Sequence, residues 1–340
     1  MPATENATAA AGAPPPPNMY FRSVDGFFAY EATHTEDLLR SQTPHLFERY
    51  HRIPTNWQTF MQSISSLAVE AYDVKVLYFI RHAEGHHNAA EKHHGTPIWD
   101  ASVSKDDAYL DAELNEAGVR DASRRSVYMR MELDAGMPLD RILVSPLTRT
   151  VQTANLYFNL TSSTSIKSPR TQLPVLAIES ARETLGVHTC DKRRPTTELI
   201  RDFPHVDWSL IESPHDDLWH PHHRETSEEI HTRCHEFLED VFHTVPDTYL
   251  AVVSHGGFIR ACMGVLGMPS YKPINCEVVP VVVVMNSSLP QTNPSSASLT
   301  TVDDDLLGAS PLLLAVAVVV IAHWVKCFKC AFRQFNTGLS

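Results

Sequence analysis

Arg81, His82, Arg149 and His255 stand in three short segments: Arg81-His82-Ala-Glu-Gly-His-His-Asn88, Ser145-Pro-Leu-Thr-Arg149-Thr-Val-Gln-Thr-Ala154, and Ser254-His255-Gly256-Gly257. A guanidinium fork matches the oxygens of a phosphate group, and each charge-assisted hydrogen bond contributes about 1.5–3 kcal/mol. A neutral imidazole is a good nucleophile, and its attack on phosphorus divides a hydrolysis into two easier steps. Alone, His82 would more often be a structural histidine. If the four side chains meet, they make a phosphate site with a nucleophile in it. Gly256-Gly257 would open a helix whose free backbone N–H groups add to that site.

Each segment directly follows a run that reads as a strand. Residues 74–80 are β-branched and aromatic, and apolar apart from Lys75, as suits a buried parallel strand. Residues 141–144 and 249–253 precede the other two segments, and 175–178 and 278–284 supply further strands. Between them, Asn115 is placed to cap a helix running to about Asp134, with Gly136 as its stop. Residues 146–159 and 257–266 read as helices. Thr226-Ser-Glu-Glu229 is a capping box for a helix through about His243, with Ile230, Cys234, Phe237, Leu238 and Val241 on one face. Alternating β and α elements predict an α/β fold, a mostly parallel central sheet with helices on both faces. Ligands of such sheets bind at the carboxyl ends of the strands, so Arg81, His82, Arg149 and His255 converge on one edge.

These segments resemble the histidine phosphatase superfamily, in its phosphoglycerate mutase-like branch. The match is to an R-H-x5-N opening, an S-P-L-x-R-T-x-Q-T-A segment, an Arg-Glu pair (Arg182-Glu183) and a late His-Gly motif (His255-Gly256), in that order across roughly 75–285. Asp111-Ala-Glu-Leu-Asn-Glu-Ala-Gly118 resembles a further D-x-x-L-T-x-x-G stretch of the family. The chain departs at Ala83, where the family has glycine, and after Glu183, where it lacks the stretch of the glycolytic mutases and looks like a fungal and plant group of mutase-like phosphatases. The resemblance implies a phosphohistidine on His82, with the phosphoryl oxygens held by Arg81, Arg149, Asn88, a protonated His255 and the backbone at Gly256. Glu183 is then the general acid toward the leaving alcohol and afterwards the base for water. No metal and no cofactor are required. The expected activity is phosphomonoester hydrolysis of a small phosphorylated molecule. The alternatives are a phosphomutase, and an inactive phosphate-binding scaffold tethered to a membrane.

The rest of the chain sets limits. A net charge of −12 argues against a protein that coats nucleic acid, so any anion site must come from local placement of cations. Six cysteines at irregular spacings suggest no disulfide framework and point to a reducing, cytoplasmic compartment. The expected organisation is a disordered Ala/Thr/Pro tail over 1–18, the catalytic domain over 19–285, a polar linker over 286–305, an apolar segment from Leu306 through Val325, and a short basic tail over 326–340. The apolar segment has about the 20 residues that a spanning helix needs, so a tail anchor with the catalytic domain in the cytosol is expected. Cys327 and Cys330 beside it are candidates for palmitoylation. His86, His87, His93 and His94 lack a known metal pattern and read as rim residues of the loop, and His215, His220, His222 and His223 as a solvated loop. Lys192-Arg193-Arg194 is either a substrate contact or a solvated basic turn, and Ser254 either assists His255 or begins the turn.

Overall fold

The computed structural model describes residues 21–32, 45–69, 73–160 and 173–285. In chain order its strands are β1 (Phe21–Ser23), β2 (Phe28–Tyr30), β3 (Tyr50–Arg52), β4 (Asp73–Arg81), β5 (Arg141–Val144), β6 (Val175–Ala177), β7 (Val206–Asp207), β8 (Tyr249–Ser254) and β9 (Val278–Met285). The helices are α1 (Trp57–Val69), α2 (His86–His94), α3 (Thr96–Ala101), α4 (Glu116–Asp134), α5 (Thr148–Phe158), α6 (Thr196–Asp202), α7 (Ser227–Thr244) and α8 (Gly256–Val265). The tail over 1–18, the linker over 286–305, the apolar segment over 306–325 and the basic tail with Cys327 and Cys330 lie outside the described residues. Among the described residues no helix is long and apolar enough to cross a membrane.

Seven strands form one sheet in the order β1-β9-β4-β8-β5-β6-β7. The pairings β4–β8, β8–β5, β5–β6 and β6–β7 are parallel, while β9 runs antiparallel to both β4 and β1. The sheet is therefore mostly parallel, as the alternation of elements predicts. β4 and β8 lie at its middle, where Val76–Ile80 and Leu250–Val253 have no exposed surface. Such two-sided burial explains why these strands read as continuous apolar runs. β9 is almost all valine, and its β-branched side chains suit a pleated surface covered on both faces.

The helix signals correspond to local hydrogen bonds. Asn115 Oδ1 accepts from the Gly118 N–H at 2.8 Å, starting α4, and Gly136 follows its end at φ +98°. At α7 the Glu229 N–H donates to Thr226 Oγ1 at 3.2 Å and the Thr226 N–H to Glu229 Oε2 at 2.7 Å, both halves of the capping box. α7 buries Ile230, Cys234, Phe237, Leu238 and Val241, as its spacing requires. α5 is shorter at its start than the sequence suggests, because Pro146 and Leu147 belong to the loop leaving β5. The N-terminal segment adds elements that carry little periodic signal: β1 edges the sheet on β9, and α1 inserts Trp57, Phe60 and Ile64 into the core.

Candidate active site

The registers of the sheet bring the three segments together. Arg81 is the last residue of β4 and pairs with Ser254, the last of β8, while Val144 at the end of β5 pairs with Val253. One step beyond, the His82 N–H donates to Ser254 O at 2.9 Å and the Ser145 N–H to Val253 O at 3.0 Å. All three chains thus leave the sheet at one level, and the rings of His82 and His255 stand 5.1 Å apart.

His82 is 2% exposed, and its Nδ1 lies 2.7 Å from the carbonyl oxygen of Ala83. A carbonyl only accepts, so Nδ1 carries the proton and Nε2 keeps its lone pair. Burial, reinforced by Arg149 and Arg81, holds the imidazole well below its ordinary value, so it is neutral. The loop before β9 braces this residue: Asn275 Nδ2 donates to His82 O at 2.9 Å, the Cys276 N–H to Arg81 O at 3.0 Å, and Arg81 Nη1 to Pro273 O at 2.7 Å. Glu277, fully buried, anchors that loop by accepting from Arg49 at 2.6 Å, Tyr271 OH at 2.7 Å and the Ile274 N–H at 2.7 Å.

Arg149 enters from the first turn of α5. Leu147 gives this helix no side-chain cap, and Asp111 supplies one from a distant loop. Asp111 accepts from the Thr148 N–H at 2.8 Å, Thr148 Oγ1 at 2.5 Å and Arg194 Nε at 3.0 Å. Burial pushes the Asp111 carboxyl up despite these donors. The guanidinium of Arg149 is fully buried, donating to Cys190 O at 2.5 Å and Asp191 Oδ1 at 2.9 Å. Asp191 Oδ2 accepts from Arg224 at 2.9 Å. Burial opposes ionisation of Asp191, but Arg224 and Arg149 outweigh it and hold the carboxyl below its ordinary value.

His255 Nε2 lies 2.9 Å from Ser145 Oγ. Burial first, then Arg149, hold its imidazole well below the ordinary value, so the chain by itself keeps His255 neutral. The protonated form expected from the sequence therefore requires the charge of a bound anion. Ser254 Oγ donates to Ala181 O at 2.6 Å and does not assist His255. Glu183 Oε1 accepts from the Thr184 N–H at 3.0 Å and Oε2 from the Gly257 N–H at 3.2 Å, which ties the carboxylate to the start of α8. A Cβ at residue 257 would stand 2.2 Å from Glu183 Oε1, so this approach requires glycine. Gly256 lies close to Arg81, whose Nε would stand 3.1 Å from an added Cβ and would have to give by a few tenths of an ångström. Asn88 Oδ1 accepts from the Gly85 N–H at 3.1 Å, and its amide nitrogen has no partner among the described residues.

Arg81, His82, Asn88, Arg149, Glu183 and Gly257 line one cavity of about 300 Å³. Among the described residues, Arg81 Nε, Arg149 Nε and His255 Nδ1 are buried polar atoms without a hydrogen-bond partner. Buried donors left unpaired cost free energy unless a ligand satisfies them, and the two guanidinium nitrogens among these atoms suit an oxyanion.

Other sequence candidates take different places. In the basic turn Arg193 is 3% exposed and bound to Glu179, Arg194 pairs with Asp111 and Asp202, and Lys192 Nζ stands over the Trp219 ring. Arg182 is buried in a bidentate pair with Asp216, at 2.8 and 2.6 Å, and also donates to Asp191 O at 2.6 Å, so it holds the loop rather than the cavity. His86, His93 and His94 are exposed, as are His215, His220, His222 and His223, whereas His87 is buried beside His82. Among the described residues the group able to bring three metal-ligating atoms together is His188, Cys190 and Asp191, within 4.8 Å of one another. Both oxygens of Asp191 already face guanidinium groups, which opposes a cation there. Asp111, Ser145 and Asp191 have roles the sequence reading missed. The D-x-x-L stretch and the Thr-Cys-Asp run after Glu183 were the available signals.

Residues 77–284 match the histidine phosphatase superfamily (branch 1). A probable phosphoglycerate mutase of Arthroderma benhamiae is 30% identical over 241 residues, covering 68% of this chain and 71% of the relative. A phosphoglycerate mutase-like protein of Arabidopsis thaliana is 33% identical over 250 residues, covering 63% of this chain and 86% of the relative. A probable phosphoglycerate mutase of Saccharomyces cerevisiae is 29% identical over 288 residues, covering 78% and 96%. The family match runs from within β4 to within β9, taking in all three strand ends, and the chain belongs to the histidine phosphatase superfamily.

Proposed function

We propose that the protein hydrolyses small phosphomonoesters through a phosphohistidine on His82. The observation that carries this reading is the 2.7 Å contact of His82 Nδ1 with the carbonyl oxygen of Ala83, which sets the tautomer. With Nδ1–H donated to Ala83 O, the Nε2 lone pair is the nucleophile, and burial keeps it unprotonated. In the first step an Nε2–P bond forms as the P–O bond to the leaving alcohol breaks, and protonated Glu183 gives its proton to that oxygen. In the second step water attacks phosphorus, the N–P bond breaks, and the Glu183 carboxylate takes the proton from water. Arg81, Arg149 and His255 serve as donors to the equatorial oxygens, where charge spreads in the transition state, and the unpaired buried guanidinium nitrogens of Arg81 and Arg149 support that role. Asn88 and the backbone at Gly256 complete the set.

The same phosphohistidine would serve a phosphomutase, the reading favoured by the names of the Arthroderma and Saccharomyces relatives. The two differ in whether the phosphoryl group goes to water or to a second substrate oxygen. The test is to quench wild type with radiolabelled substrate in alkali, map the acid-labile label, and compare His82→Ala. Label on His82, its absence from the variant, and inorganic phosphate equal to substrate consumed are expected. Label elsewhere, or turnover by His82→Ala, would refute the nucleophile. Isomer formed faster than phosphate would replace hydrolase by mutase.

A further inference from the structure

His87 reads as a rim residue in the sequence, yet the fold turns it inward. It is 7% exposed, lines the same cavity as His82, and its ring stands 5.5 Å from that of His82. Gly85 makes the room: a Cβ there would fall 2.7 Å from His87 Nδ1 and 2.8 Å from Cε1. Nδ1 is buried and has no partner among the described residues. A proton sealed on Nδ1 would forfeit its hydrogen bond, which is costly, so the proton belongs on Nε2, the ring nitrogen that remains accessible. Burial, then Arg149 and His82, hold the ring well below its ordinary value, so it offers a neutral N–H and no acid proton.

We propose that His87 is a third imidazole of the phosphoryl site, donating its Nε2–H to an oxygen of the group carried by His82. This assignment rests on the phosphoryl-site reading above. It makes His87 a fixed donor, and proton transfer stays with Glu183. Nothing in the mechanism otherwise uses this buried ring.

The experiment compares full-length wild type with His87→Phe, which keeps the ring volume, His87→Gln, whose amide nitrogen reaches near the Nε2 position, and His87→Asn, whose amide reaches only near Nδ1. Orthovanadate and inorganic phosphate are titrated by calorimetry, phosphorylation of His82 is followed by rapid quench, and folding is checked by thermal melting. His87→Phe should melt like wild type, bind vanadate about tenfold to a hundredfold more weakly, and phosphorylate more slowly by a similar factor, as expected for one hydrogen bond to a charged group. His87→Gln should recover most of that loss, and the shape of the pH–rate profile should not change. If Phe unfolds the loop, recovery by Gln and not by Asn carries the same conclusion. Wild-type affinity in His87→Phe, equal losses in Gln and Asn, or no oxyanion binding by wild type would overturn the proposal. Vanadate binding that depends on His87, without label on His82, would keep the contact and refute the phosphohistidine reading instead.

Discussion

Replacing Asp191 by alanine tests how Arg149 is held. In the folded protein the Asp191 carboxylate, 3% exposed, neutralises Arg149 at 2.9 Å and Arg224 at 2.9 Å. Removing one partner of a buried ion pair typically costs about 3–5 kcal/mol, because the remaining charge stays buried. Here each guanidinium keeps carbonyl acceptors: Cys190 O for Arg149, and Thr184 O and Gly186 O for Arg224. The lower end, about 3 kcal/mol, is therefore expected, which lowers the melting temperature by roughly 6–12 °C for a domain of this size. Activity should suffer separately. Arg149 Nε has no partner among the described residues, so the bonds at its two terminal nitrogens aim it at the phosphoryl group. Losing one preorganised donor costs about a hundredfold to a thousandfold in kcat. Asp191→Asn keeps an oxygen for Arg149 but presents an uncharged amide to Arg224, so it should retain more activity than alanine while still losing stability. The assay is thermal unfolding beside steady-state kinetics on a chromogenic phosphomonoester, with kcat and KM resolved. Alanine with wild-type kcat, or both variants with wild-type melting, would refute the argument that Asp191 positions Arg149.

Gly257→Ala should lower kcat with little change in melting, because its Cβ would displace the Glu183 carboxylate from 2.2 Å. A double variant with Glu183→Gln should be no worse than Glu183→Gln alone, and additive losses would deny the coupling. His82, His87 and His255 are each held below the ordinary histidine value of 6.5, by burial first. The unfolded chain then binds more protons than the folded one below about pH 6.5, so stability is full above that pH and declines as pH falls, by up to about 1.4 kcal/mol per pH unit for each histidine. Urea titrations between pH 7.5 and 5 check this, and a flat midpoint across that range would contradict it. Activity should survive chelation and dialysis, since side chains supply the cations, and activity restored only by added zinc, magnesium or manganese would point to His188, Cys190 and Asp191.

The legible parts of this protein share one property: their signals are local. A parallel strand buried on both faces must be apolar along its length, so β4, β5 and β8 stood out, and the segments at their ends followed with Arg81, His82, Arg149 and His255. Capping chemistry acts over three residues, so Asn115 and Thr226 marked their helices. β1 and β7, with three and two residues, gain their pairing from the rest of the sheet and carry no period of their own.

From its sequence alone, then, the chain determines an α/β sheet, the strand ends that carry chemistry, and the residue types gathered there. Only the tertiary structure decides which charge answers which. Asp191 lies 42 residues from Arg149, Ser145 lies 110 from His255, and Asp111 lies 37 from Thr148. No periodicity links such pairs, since each exists because folding removes both groups from water and brings them within reach of one another. The same desolvation turned Arg193 and Arg194 from an apparent basic patch into internal braces, and His87 from the rim into the cavity wall.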